Sequence, residues 1–241
     1  DAGRALDPAK GKFIDLPLPS GPKARLILCY LNAEAMKQQS PAIDVQRSLT
    51  AFVKRLNLDP KGRNINAIKR ELSALAASTM RLGFIREGHA VTMKQDIVQG
   101  FDLWFPKEED QRVLWPSVVW FSDAYYESLM SHAVPLDERA VAALSHSAMA
   151  LDIYAWLAQR LHRIPENKPQ FIPWLAVKDQ FGQGFDRMDN FKRKFRIALK
   201  QVIAQYLAAQ LTEDERGLML FHSLPSVPLR GMMVVKKSVD K

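Results

Sequence analysis

The stretch Arg187-Met188-Asp189-Asn190-Phe191-Lys192-Arg193-Lys194-Phe195-Arg196-Ile197-Ala198-Leu199-Lys200 decides how this chain is read. Met188, Phe191, Phe195 and Leu199, with Val202 and Tyr206 beyond them, recur at three- and four-residue steps. That spacing stacks side chains along one side of a helix. Arg187, Lys192, Arg193, Lys194, Arg196 and Lys200 take the other side and its flanks, and Asp189 is the only acid among them. With Phe191, Phe195 and Leu199 turned inward, Asn190, Arg193, Lys194 and Ile197 lie nearly opposite. A helix held by its apolar face and offering cations to solvent suits a groove of duplex DNA. The alternative is a solvated charged face on an ordinary helix.

The neighbours of this helix set its context. Gly182-Gln183-Gly184 reads as the turn before it, too short to cradle a phosphate. A hairpin is expected after it, from Gln210–Leu211 and Leu218–His222 around 212–217. Before it stand a short strand (Phe171–Trp174) and a short helix (Leu175–Phe181). Earlier still, Ser147 caps a long helix (Ala148–Arg163) and Asp137 a short one through Leu144. The first half repeats the order. Helices are expected at Lys23–Gln38, at Leu49–Leu56 behind a Ser48 cap, and from an Asn64 cap to near Leu82-Gly83. The stripe of that third helix is Ile65, Ile68, Leu72, Leu75, Thr79 and Leu82. Extended runs at Ala90–Met93 and Asp96–Phe105 follow, then Ser117–Phe121 and a helix near Ser122–Leu129.

Helix, helix, helix, hairpin is the order of a winged helix, in which the third helix is presented and the hairpin packs beside it. The fold class expected is therefore α+β, mostly α, with two tandem winged-helix domains. The expected division is a flexible arm at 1–12, an N-terminal domain at 13–134, a C-terminal domain at 135–229 and a basic tail at 230–241. Both domains fall within ordinary domain sizes.

Charge is distributed unevenly. Residues 1–138 hold 18 Lys+Arg against 17 Asp+Glu, and residues 139–241 hold 16 against 9. A polyanion would meet mainly the second half. No apolar run approaches the roughly 20 residues needed to span a bilayer, so no membrane partner is expected. Cys29 is alone and excludes an internal disulfide, which fits a reducing cytosol.

Catalytic chemistry is not legible. The five histidines are scattered, with none at metal-ligand spacing. There is no Gly-x4-Gly-Lys-Ser/Thr loop. Tyr125-Tyr126 lacks the clustered ligands of a DNA-nicking tyrosine, and Asp152 and Asp179 lack an acid/base partner. No enzyme activity, metal or cofactor is expected.

Four segments carry a family resemblance: Ser147 with Ala150-Leu151-Asp152-Ile153-Tyr154-Ala155-Trp156-Leu157-Ala158-Gln159-Arg160-Leu161, Phe181-Gly182-Gln183-Gly184, Asp189-Asn190-Phe191-Lys192-Arg193-Lys194-Phe195, and Leu224-Pro225-Ser226-Val227-Pro228. Together they resemble the RepA-type plasmid replication initiators of Gram-negative bacteria, most strongly over Pro135–Pro228. Over the first half the resemblance is looser, carried by Pro19-Ser20-Gly21-Pro22-Lys23-Ala24-Arg25. It implies tandem winged helices that bind repeated origin sequences, called iterons. It also implies N-terminal dimerisation, monomers that initiate and dimers that repress, and host initiator protein and replicative helicase as partners. A cytoplasmic, plasmid-associated protein is implied with them.

On this reading, Asn190 and Arg193 are the residues suited to base edges, because amide and guanidinium groups pair bidentately with adenine and guanine. Arg187, Lys192, Arg196 and Lys200 suit flanking phosphates. The first domain would add a weaker contact through Arg63, Lys69 and Arg70, or act as a protein-binding element. Two alternatives stay open: a sequence-specific repressor of a plasmid or phage origin, and a protein-interaction module with a basic surface.

Overall fold

The computed structural model describes residues 1–7, 11–45, 53–54, 58–86, 89–104 and 115–227. It is mixed α and β, with small antiparallel sheets and more residues in helices than in strands. The chain divides into two compact units, residues 1–133 with 141–151 and residues 134–140 with 152–241.

The first unit opens with a hairpin of β1 (Arg4–Asp7) and β2 (Lys12–Asp15), paired antiparallel from Arg4 opposite Asp15 to Asp7 opposite Lys12. The opening residues, expected as a loose arm, thus include a paired strand. Pairing satisfies backbone groups that an arm would leave to water. Helix α1 (Gly21–Gln38) starts on Pro22, whose missing N–H costs nothing in a first turn. It buries Ala24, Leu26, Ile27, Leu31 and Ala35. Strand β3 (Ala42–Asp44) follows. The expected helix at 49–56 lies outside the described residues except for 53–54, which are helical.

Helix α2 (Gly62–Ala77) is shorter than its sequence stripe suggests. Ser78 turns extended (φ −83°, ψ 147°), and Thr79–Arg86 forms strand β4 rather than the last turns of a helix. Met80, Leu82 and Phe84 alternate with Arg81, Gly83 and Ile85, a period of two that overlaps the helical spacing of Thr79 and Leu82. Gly83 therefore lies in a strand and is not a helix terminator. Asn64 does not cap the helix either: it sits in the first turn and its side-chain amide donates to the Asp59 carbonyl at 2.8 Å.

Strand β4 pairs in full with β5 (His89–Asp96), and β6 (Val98–Trp104) pairs with β7 (Trp115–Phe121). The expected wing of this half, 90–93 with 96–105, is thus split: β5 belongs to an extra hairpin and the wing is β6–β7. Strands β3, β7 and β6 form one sheet in the order β3-β7-β6, with Ile43 and Phe101 both opposite Val119. Helix α3 (Asp123–His132) closes this part, its Ser122 cap accepting from the Tyr125 N–H at 3.3 Å.

The chain continues through α4 (Glu138–Ala143) and α5 (Ala148–Arg160), where Ser147 Oγ accepts from the Ala150 N–H at 3.2 Å as its expected capping role requires. In the second unit, α5 runs into a 3-10 turn (Leu161–Arg163). Strand β8 (Gln170–Pro173), helix α6 (Trp174–Phe181), helix α7 (Met188–Gln205) and strands β9 (Leu211–Glu213) and β10 (Gly217–Leu220) follow. The sheet order is β8-β10-β9, so the first strand pairs with the last. Helix, strand, helix, helix and a two-stranded hairpin with that order make a winged helix. The expected tail at 230–241 lies outside the described residues.

Candidate nucleic-acid interface

The inner face of α7 is an aromatic core. Phe191 and Phe195 are fully buried, with Ala198, Leu199 and Val202 below them. The Phe195 ring meets those of Trp174 (5.7 Å between centroids), Phe181 (5.7 Å) and Phe191 (5.6 Å), and Trp174 meets Phe195 edge-on at 89°. Burying one such ring contributes about 1.5–3 kcal/mol, and edge-to-face pairing adds about 0.5–1.5 kcal/mol. This cluster fixes the rotation of the helix, and so determines which residues face water.

The turn before α7 fixes its start. Gly184 has φ +86°, a left-handed backbone that glycine adopts without cost. A Cβ on Gly182 would come within 2.6 Å of the Lys178 carbonyl oxygen and 3.0 Å of the Phe191 ring. Only glycine lets α6 and α7 approach this closely. Asp189 sits in the first turn, where a carboxylate complements the helix dipole. Its carboxyl is held below the usual range, chiefly by the Arg187 guanidinium and then by the Asn190 N–H.

The outer face divides into paired and unpaired cations. Arg187 is bidentate on Asp189 (3.0 and 2.8 Å), and Arg196 Nε donates to Glu213 at 2.7 Å. Lys192 Nζ donates to the Glu215 carbonyl at 3.2 Å. Lys192 and Arg196 also lie over the Trp174 ring, at 5.0 and 5.5 Å from its centroid. Arg193, Lys194 and Lys200 are exposed and make no ion pair or hydrogen bond among the described residues. Asn190 is exposed beside them, and Ile197 is 50% exposed, unusual for an isoleucine on a helix with so full a core. Asn190, Arg193, Lys194, Ile197 and Lys200 thus share one wet surface, while Arg187, Lys192 and Arg196 are held by the protein's own groups.

The three candidates of the first unit are not alike. Arg63 is exposed in the first turn of α2. Lys69 is half-buried, and burial lowers its ammonium pKa from the ordinary lysine range. Arg70 donates to Glu71 through Nε (3.3 Å) and Nη2 (3.1 Å). Glu71 is itself buried and accepts from the Ser20 N–H at 2.8 Å, at the start of α1. Arg70 is therefore part of a structural network that holds α1 to α2.

Sequence reasoning missed the wing's part in the site. Trp174 Nε1 donates to the Asp214 carbonyl at 3.0 Å, and the Trp174 N–H donates to the Arg216 carbonyl at 2.9 Å. Asp214 accepts from the Arg216 and Gly217 N–H groups (2.8 and 2.9 Å), and these bonds hold its carboxyl below the ordinary range. The signal was the acidic run Glu213-Asp214-Glu215 in the hairpin beyond the basic helix, legible as a turn but not as a partner of that helix.

Among the described residues no group of His, Cys, Asp and Glu could hold a metal ion, and no helix is long and apolar enough to cross a membrane.

A family model described as plasmid-encoded RepA protein matches residues 18–175. The match ends at the first turn of α6, so the reading of α7 rests on its own geometry. A crystal structure of selenomethionine derivatives of domain 2 and domain 3 of RctB superposes with a TM-score of 0.56 at 8% identity, covering 83% of this chain and 80% of that one. At that identity the likeness shows a shared fold. No curated protein matches the chain in sequence.

Proposed function

This chain belongs to the family of plasmid-encoded RepA proteins, and we propose that it initiates plasmid replication by binding repeated sites in duplex DNA at the origin, with α7 in the major groove. One observation carries the reading. The outer face of the third helix of a winged helix keeps Arg193, Lys194 and Lys200 wet and unneutralised among the described residues.

Asn190 and Arg193 meet base edges, and Ile197 supplies an apolar contact of the kind that suits a thymine methyl. Lys194 and Lys200 meet phosphates, as do Arg187 once its exposed pair with Asp189 exchanges for backbone oxygens, Lys192 once it leaves the Glu215 carbonyl, and Arg196 where the fit of the interface displaces Glu213. An exposed pair such as Arg187–Asp189 is screened by water and salt, so that exchange costs little. The first unit adds a lesser contact through Arg63 at the start of α2, with Lys69 and Arg70 nearer the protein than the DNA. No catalytic step or cofactor is assigned to this protein. Self-association, contacts with host initiator and helicase, and a cytoplasmic site of action are part of the same proposal, supported by the family resemblance alone.

The test is a footprint on candidate origin DNA with a salt titration. A DNA binder of this kind protects repeats at a regular spacing, and its log K falls with log salt by about 0.9 per phosphate neutralised. A protein-interaction module shows neither. A minimal plasmid carrying only the candidate origin, supplied with the protein in trans, separates initiation from repression: stable replication supports the initiator, and repression without replication supports the alternative.

A further inference from the structure

The wing between β9 and β10 presents Glu213, Asp214 and Glu215 against one cation, Arg216. A wing that lay on a duplex with this composition would repel its phosphates. The structure turns one of these acids inward instead. Glu213 Oε1 takes Arg196 Nε at 2.7 Å, with both side chains only partly exposed (44% for Arg196, 35% for Glu213). The wing tip is fixed to the same place: Trp174 donates to the Asp214 carbonyl, and Arg196 stacks over the Trp174 ring. Glu213 thus reaches Arg196 from a turn tied down by hydrogen bonds to α6 and within itself. The carboxylate of Glu215, two residues on, makes no ion pair or hydrogen bond among the described residues.

We propose that Glu213 is a built-in phosphate mimic that sets sequence selectivity: it occupies Arg196 in the free protein, so that DNA offering only a backbone gains one cation fewer. The proposal rests on the DNA-binding reading above. Non-specific affinity comes almost wholly from phosphate contacts, whereas base contacts by Asn190 and Arg193 are indifferent to Glu213. Withholding one phosphate partner therefore lowers binding to arbitrary sequence, while a site whose bases match compensates through the unpaired face of α7. Arg196 is held ready in an oriented, stacked position and is released only where the rest of the interface fits.

The experiment uses the full chain and a mixed-sequence duplex of about 30 base pairs, long enough for more than two helical turns. Binding is followed by fluorescence anisotropy across about 50–300 mM salt. Glu213→Gln keeps the side-chain shape and removes the charge. It is expected to raise affinity for mixed sequence about three- to eightfold near 0.1 M salt and to steepen the salt slope by about 0.9, the effect of one added phosphate contact. Two companions make the outcome decisive. Glu215→Gln removes the same charge from the neighbouring position and is expected to leave the slope unchanged. In an Arg196→Ala background, Glu213→Gln is expected to lose its gain. Thermal melts of each variant establish that the fold is kept.

An equal gain from Glu215→Gln, or a Glu213→Gln gain that survives without Arg196, would mean a general charge effect and would overturn the proposal. A wild-type slope near zero would remove the DNA-binding reading itself, and the wing proposal with it. A normal wild-type slope that Glu213→Gln leaves unaltered would remove the wing proposal alone.

Discussion

Helices α2 and α7 hold the same place in the same strand order, β3-β7-β6 around one and β8-β10-β9 around the other, yet they meet solvent differently. From Glu71 to Ala76 every residue of α2 is buried, so its later turns are covered on all sides. In α7 the buried residues stay on one face, and exposed positions recur along the other as far as Gln205. The open positions of α2, among them Arg63, Asn66 and Arg70, all precede Glu71, and Arg70 is tied to that residue. Both sequences are amphipathic at their start, and both helices carry cations. The difference teaches that topology nominates a reading helix, but what covers its outer face decides whether it can read.

The sharpest tests of this contrast are graded by expected effect. The inner faces should behave alike. Phe195→Ala, which empties the centre of the aromatic cluster, is expected to cost about 3–5 kcal/mol in urea unfolding, and Leu72→Ala in α2 about 2–5 kcal/mol. A loss under about 1 kcal/mol at Phe195 would show that the cluster does not anchor α7.

The networks on the outer faces should differ. Glu71→Gln weakens the bonds to Ser20 and Arg70 and is expected to cost about 1.5–3 kcal/mol in a thermal or denaturant melt, with DNA affinity unchanged. A change in DNA affinity without a change in stability would move Glu71 and Arg70 from scaffold to interface. On α7 the pattern is reversed. Arg193→Ala is expected to leave stability unaltered and to cost about 1–3 kcal/mol of discrimination at one position of the repeat, read in a quantitative footprint. Arg63→Ala should cost less than Arg193→Ala, and the opposite ranking would invert the comparison between the two units.

The smallest effect concerns how α7 ends. Tyr206 donates its hydroxyl to the Leu224 carbonyl at 2.6 Å, and Tyr206→Phe is expected to cost about 1 kcal/mol near neutral pH. Burial, and then the neighbouring Tyr154, push the Tyr206 hydroxyl up to about 12 in the folded protein. The unfolded chain loses this proton near pH 10, about two pH steps earlier. Tyr206 therefore contributes its full stability below pH 10 and loses it as pH rises towards 12. An alkaline melt series should show a steeper decline in wild type than in Tyr206→Phe, and parallel curves would remove this linkage.

Much of the second unit was legible because its signals are local. The three- and four-residue spacing of Phe191, Phe195 and Leu199 and the Gly182–Gly184 turn each involve residues within a few positions of one another. The first unit was harder for a physical reason. Thr79 and Leu82 fit a helical stripe while Met80, Leu82 and Phe84 fit a strand, and local preference does not separate two periods that share residues. Pairing with β5 over the whole of Thr79–Arg86 settled the competition in favour of the strand. That pairing also took β5 away from the wing.

The sequence alone determined that a helix would form between Phe185 and Tyr206, which side of it would be inward, and that a hairpin would follow. Backbone preference and apolar period act over one or two turns, and both are written in neighbouring residues. Only the tertiary structure decided which cations remain available. Arg196 is neutralised by Glu213, 17 positions away, and the buried Glu71 that holds Arg70 is tied to Ser20, 51 positions away. Charge pairing depends on distance in space, and that distance is set only when the hairpins and helices pack.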